Sequence, residues 1–105
     1  MTDLNAKPLF GTRDLNSFSG LKLRVTVWAP VETECGDFEC SYRITGAGDE
    51  KVRRSVGIDA IQATLLALRK IGSDIGVLEE TLSTRFFIGS GATLPSHGFP
   101  TIEGA

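Results

Sequence analysis

The run from Asp59 to Leu82 constrains the fold more than any other part of this chain. At about 100° per residue, Ile61, Leu65, Leu68, Ile71, Ile75, Leu78 and Leu82 share one broad face, which predicts an amphipathic helix. The pattern passes through Gly72 and Gly76 without losing phase, so one helix, bent at the glycines, is expected rather than two. Gly72 on the apolar face would let the backbone approach a second layer closely. Asp59 stands at the start, where a carboxylate can cap free N–H groups and meet the positive end of the helix dipole. A helix with one apolar face must bury it against another element.

That second layer is legible upstream. In "LKLRVTVW", Leu21, Leu23, Val25 and Val27 alternate with Lys22, Arg24, Thr26 and Trp28, a half-buried strand that Pro30 ends. In "FECSYRI", Phe38, Cys40, Tyr42 and Ile44 alternate with Glu39, Ser41 and Arg43. "GAGDE" is a turn by composition. "KVRRSV" predicts a shorter third strand with Val52 and Val56 inward. That parity turns Arg54 inward too, which a bulge or an edge position would accommodate. Short connections make these strands an antiparallel meander. After the helix, "RFFIG" predicts a fourth strand. Residues 1–20 read as an irregular arm with a short strand near Pro8–Phe10, and 101–105 as a frayed tail. The expected fold class is α+β: an antiparallel sheet of three to four strands with one long helix packed on one face, in a single domain over 21–100.

A chain of 105 residues is one domain that buries roughly 65% of its unfolded surface. The net charge of −2 argues against bulk nucleic-acid binding. No apolar run approaches the ~20 residues of a membrane span. "MTDLNAKPLFGT" lacks a basic start followed by an apolar core, so a cytoplasmic location is expected. Cys35 and Cys40 on one extended segment would lie roughly 16 Å apart. A disulfide needs Cα atoms within about 7 Å, so reduced thiols are expected.

Chemistry-bearing patterns are sparse. The only histidine is His97, in a Pro/Gly-rich stretch. A Cys40–His97 or Cys35–His97 pair is all that supports a thiol-dependent enzyme, and no catalytic residue is assigned. Cys35, Cys40 and His97 make three potential zinc ligands at irregular spacing where four are usual, so no metal is expected. "GAGDEK" precedes a strand where a dinucleotide loop needs a helix, and "GSGATL" runs into Pro95, so no cofactor is expected. Glu32, Glu34, Asp37 and Glu39 read as a solvated acidic hairpin.

Two surfaces are more informative. By strand parity, Lys22, Arg24, Arg43, Lys51 and Arg53 share the polar sheet face, with Trp28 at one end and Glu39 as the main counter-charge. Such a face either binds an anion or a nucleic-acid backbone, or simply solvates an open sheet. On the helix, Leu66 and Val77 stand eleven residues apart and within about 20° of each other, away from the main apolar stripe. Either the 86–99 tail covers them or they stay exposed, or a second copy meets them in a two-fold homodimer.

"VWAPVE", "CSYRITG", "VGIDAIQATLLALRKIG" and "HGFP" together resemble a small uncharacterised bacterial family. Its shared positions correspond to Trp28 and Pro30, Cys40 and Tyr42, Gly57, Asp59, Gln62 and Ala63, and Gly98 to Pro100. The resemblance spans roughly Leu21 to Pro100. It implies a single-domain bacterial protein and carries no site residue. Gln62, one turn into the helix, is expected to hydrogen-bond the preceding strand or loop. The function expected from all of this is a non-enzymatic protein-binding module, its partner another protein or itself. Anion or nucleic-acid binding by the basic face is the alternative, and steep salt dependence would mark it.

Overall fold

A computed structural model describes residues 8–47, 50–88 and 99. The elements are β1 (Leu9–Ser17), β2 (Lys22–Trp28), β3 (Val31–Glu32), β4 (Phe38–Thr45), β5 (Arg53–Gly57), α1 (Ala60–Leu82) and β6 (Phe86–Ile88). Among the described residues six strands form one sheet, and each pairing is antiparallel. The class is α+β, with more strands than the three to four expected. β2, β4 and β5 lie side by side as a meander. β1 adds to the far side of β2, and β6 returns to pair with β1. Tyr42 of β4 pairs with Val27 on one side and Arg53 on the other, so β5 lies at one edge of the sheet. The long helix spans the distance between the β5 and β6 edges.

The main addition is β1, which occupies nine residues of the segment expected to be an irregular arm. Arg13 pairs with Val25 and Leu15 with Leu23, so the helix-facing positions of β1 are Gly11, Arg13, Leu15 and Ser17. Only one of the four is a large apolar residue, and period-two hydrophobicity could not reveal the strand. Sheet pairing with the strongly patterned β2 overrides the weak local signal.

The core fills the space between sheet and helix. Leu15, Leu23, Val25, Val27, Cys40, Tyr42, Ile44 and Phe86 come from the strands, and Ala63, Ala67, Ile71 and Ile75 from the helix. Phe99 joins them, with the Arg13 guanidinium 4.7 Å from the centre of its ring. The helix is continuous through Gly72 and Gly76, as its phase predicts.

Two parities differ from expectation, for one shared reason. A Cβ on Gly57 would lie 2.5 Å from the backbone nitrogen of Ala63. The helix start therefore rests almost on β5, and only small residues fit between them. Ser55 and Gly57 face the helix, while Val52 and Val56 are exposed. Arg54 points outward to an ion pair with Glu39 at 3.4 Å, which removes the difficulty of an inward arginine. On the helix, Ala63 and Ala67 make the close contact. Ile61 and Leu65, expected in the core stripe, are exposed, as is Leu82 at the helix end.

Candidate functional site

The β5–α1 junction is built by four residues. Gly57 permits the close approach. Asp59 caps the helix, its Oδ1 accepting from the Gln62 N–H at 2.8 Å. The Gln62 side chain returns the bond, its Oε1 accepting from the Ile58 N–H at 2.8 Å. This reciprocal arrangement is close to a capping box, and it is the role expected of Gln62. Ala63, fully buried, completes the junction. The result is a helix fixed firmly at its N-terminus, with its later turns held over β4.

Those later turns bring Asp74 to Tyr42. Asp74 lies within about 20° of both Ala63 and Ala67 around the helix, on the sheet-facing side. The Tyr42 hydroxyl, part-buried beneath the helix, donates to Asp74 Oδ2 at 2.7 Å. Burial raises the Tyr42 pKa above its ordinary value, and the bond to the Asp74 carboxylate and its negative charge raise it further. The charge of Arg53 offsets part of that rise. Around this pair lies a cleft of about 230 Å³. Lys51 and Arg53 line it on the β5 side, and Ile44, Val77 and Leu78 form an apolar wall.

The second feature is the β5 edge. β5 pairs with β4 on one side, and among the described residues no strand pairs with its other side. Val56, Ile58, Ile61 and Leu65 are exposed around this edge; Ile58 is 76% accessible and Ile61 73%. Lys51, Arg53 and Arg54, all exposed, add positive charge to it.

The basic residues expected on one face are thus divided between two. Lys22, Arg24 and Arg43 lie on the sheet face away from the helix, as parity predicts. Arg53 stands directly opposite Tyr42 and lines the cleft on the helix side, with Lys51 beside it. The same one-residue parity error that misplaced Val52 and Val56 accounts for this. On the open face, Arg24 donates from Nε to Asp14 Oδ1 at 2.7 Å and from a terminal nitrogen to Oδ2 at 3.2 Å. That bonding lowers the Asp14 pKa and raises that of Arg24. The Arg43 guanidinium lies 5.6 Å from the centre of the Trp28 ring, and Trp28 is itself largely buried. Glu39, expected to balance the basic face generally, serves Arg54.

The helix stripe is divided as well. Val77 is 61% exposed and belongs to the wall of the cleft, while Leu66 is half-buried. Cys35 is exposed and Cys40 fully buried, and both are free thiols. The Cys40 Sγ donates to the Trp28 carbonyl at 3.4 Å. His97, Gly98 and Pro100 lie outside the described residues, so the proposed thiol–imidazole pairs do too. Among the described residues no group of three or more His, Cys, Asp or Glu side chains is placed to hold a metal. No helix among them is long and apolar enough to cross a membrane.

A family model matches residues 11–100, from the third residue of β1 to the residue after Phe99. The chain belongs to DUF6968, a family described as a domain of unknown function. No curated protein and no solved structure matches it. The DUF6968 match therefore covers nearly the whole sheet and the whole helix while leaving the function open.

Within this DUF6968 domain, the hydrogen-bonded pair in the cleft that the sequence reading did not bring out is Tyr42–Asp74. A signal existed. Tyr42 reads inward on its strand, and a buried tyrosine hydroxyl requires a partner. Asp74 is the carboxylate on the small-residue face of the helix. That face carries alanines, which stand out less in a helical apolar pattern than isoleucines and leucines.

Proposed function

We propose that this domain works by binding another protein, which adds an extended, acidic segment along the β5 edge. The observation that carries this reading is the coincidence of a strand edge that no described strand pairs with and four exposed aliphatic side chains, Val56, Ile58, Ile61 and Leu65. An open edge offers backbone donors and acceptors to an incoming strand, and flanking apolar side chains give that strand something to bury. Native edges of this kind are normally covered or blunted. Here Lys51, Arg53 and Arg54 provide the charge, which selects for carboxylates on the incoming segment. A second copy fits less well. Pairing β5 with itself about Ser55 would place the two Arg54 side chains diagonally on one face.

The open basic face supports anion or nucleic-acid binding less well, since Arg24 is bonded to Asp14 and Arg43 lies on Trp28. A thiol-dependent enzyme gains nothing from Cys40, whose sulfur is fully buried.

The test uses wild-type protein and the Ile58→Ser/Ile61→Ser double variant as parallel baits, followed by titration of each purified, captured protein. A true partner should bind the double variant at least about tenfold more weakly, a loss of roughly 1.4 kcal/mol. Arg54→Glu should weaken it too, and Lys22→Ala should not. A partner that binds wild type and the double variant equally would remove the β5 edge from consideration. Concentration-dependent dimerisation by light scattering, lost in the double variant, would replace the separate partner with a second copy.

A further inference from the structure

The gap between helix and sheet is not uniform. The backbone of α1 runs closest to β5 and β4, and β1 and β2 lie further from it. Two glycines gauge the difference. A Cβ on Gly57 in β5 would come within 2.5 Å of the Ala63 backbone nitrogen. A Cβ on Gly11, at a helix-facing position of β1 opposite Val27, would meet no described atom within 4 Å. Phe99 fills part of the wider side. What remains is a pocket of about 180 Å³, with Val25 and Val27 from the sheet, Leu68 from the helix, Phe99, and Phe10 and Gly11 from β1.

We infer that this pocket binds a small uncharged aromatic molecule, with its ring against Phe99 and Phe10 and the valines beneath it. The pocket lies across the sheet from the β5 edge and does not depend on it. Three observations carry the assignment.

The first is the chemistry of the lining. Val25 and Val27 are buried in the core, Leu68 is half-buried, and Phe10 is 58% exposed. A ring seated among them covers exposed apolar surface, and that burial is favourable. Among the described residues the one charged side chain in the lining is Arg13. Its guanidinium stacks on the Phe99 ring and it has further contacts within the protein. The lining therefore offers no charge that selects an ion, and an ionic ligand would lose hydration without a partner.

The second is size. An apolar cavity of about 150 Å³ holds a single benzene ring. At about 180 Å³ this pocket has room for one ring with a small substituent or for two fused rings. The third is the presence of two phenyl rings in the lining. Offset or edge-to-face contact with them adds to what burial alone supplies. A rigid ring also loses less internal freedom on binding than an alkyl chain of equal area.

The experiment titrates the full chain with indole, following the methyl resonances of Val25, Val27 and Leu68 by NMR, with hexanol and benzoate as comparisons. Indole should give saturable shifts with a Kd of about 1 mM or tighter. Hexanol, which buries a chain but no ring, should bind about threefold more weakly. Benzoate, which carries a ring and a charge, should bind at least about tenfold more weakly. The Gly11 backbone is not left-handed, so a side chain is tolerated there. Gly11→Val fills the open space and should weaken indole at least about tenfold. The same variant should unfold at an unchanged or higher temperature, since a β-branched residue suits a strand and fills a void. Gly11→Ala, the smaller change, should weaken indole by less and in the same direction. Val52→Ala on β5 should change nothing. Absence of saturation at about 10 mM indole would overturn the proposal. So would equal binding by wild type and both Gly11 variants, or tighter binding of hexanol or benzoate than of indole.

Discussion

Arg24 and Arg53 belong to strands separated only by β4, yet they work in different surroundings. Arg24 stands on the open face, bonded through two nitrogens to Asp14 directly across the strand pair, and both side chains are well exposed. Arg53 stands on the helix side, opposite Tyr42, beside a buried hydroxyl and an aliphatic wall. The open face settles its charges pairwise in water, where an ion pair is screened and contributes little. The cleft places charges around a part-buried hydrogen bond, where leaving a donor or acceptor unpaired costs more than on the open face. The same residue types therefore carry different energetic weight, and the difference comes from the helix overhead.

The largest effect expected from this contrast is at Tyr42. Tyr42→Ala should cost about 3–5 kcal/mol, the scale of ring deletions in protein cores. Tyr42→Phe keeps the ring and removes only the hydroxyl, leaving Asp74 without its donor, and should cost about 1–3 kcal/mol. Urea unfolding followed by the fluorescence of the single tryptophan, Trp28, measures both. If Tyr42→Phe is as stable as wild type, Asp74 is solvated in solution and the cleft is no different from the open face.

A smaller effect follows from the pKa of Tyr42, which is raised above its ordinary value, first by burial and then by the bond to Asp74 and its charge. A free tyrosine ionises near pH 10. Below that pH the residue is neutral in both folded and unfolded chains, and its contribution is complete. Above about pH 10 the unfolded chain ionises first, so stability falls as pH rises. Tyr42 is the only tyrosine, so the absorbance change of ionisation near 295 nm reports it alone. The native protein should show no ionisation step near pH 10. The alkaline loss of stability should be absent in Tyr42→Phe. A normal titration in the folded protein would place the hydroxyl in contact with water.

How much of this was legible in advance follows the strength of the periodic signals. β2 and β4 alternate large apolar residues with polar ones, and α1 keeps its phase for six turns, so these elements and the meander were readable. β1 was not, because Gly11, Arg13 and Ser17 occupy inward positions that an alternation test expects to be apolar. β5 was found but placed one residue out of parity, since its inward residues are Ser55 and Gly57 while its valines face solvent. The failure at β5 arises where the helix comes so close that size, not hydrophobicity, decides what fits. The candidate sites lie in that same zone. A parity error at β5 moved Lys51 and Arg53 to the wrong face and hid the exposed edge. The apolar stripe drawn through Ile61 and Leu65 took for core the residues that now define that edge.

The smallest effect belongs to the Arg24–Asp14 pair, and it is the most direct check on the contrast between the two faces. The geometry is good, at 2.7 and 3.2 Å, but the side chains are 61% and 59% exposed. Bonding to Arg24 holds the Asp14 carboxyl below its ordinary pKa. Any contribution from the pair is therefore present above about pH 4 and lost as pH falls through the lowered value. It should also disappear in about 1 M salt, where the screening length is only about 3 Å. A double-mutant cycle with Asp14→Asn and Arg24→Gln measures the coupling directly. The expected result is a small coupling at low salt and none at about 1 M. A parallel cycle with Tyr42→Phe and Asp74→Asn should give a coupling that salt changes far less, because the tyrosine hydroxyl is uncharged and the bond is part-buried. If the two cycles respond to salt in the same way, burial does not separate the open face from the cleft, and Arg24 and Arg53 are equivalent surface cations.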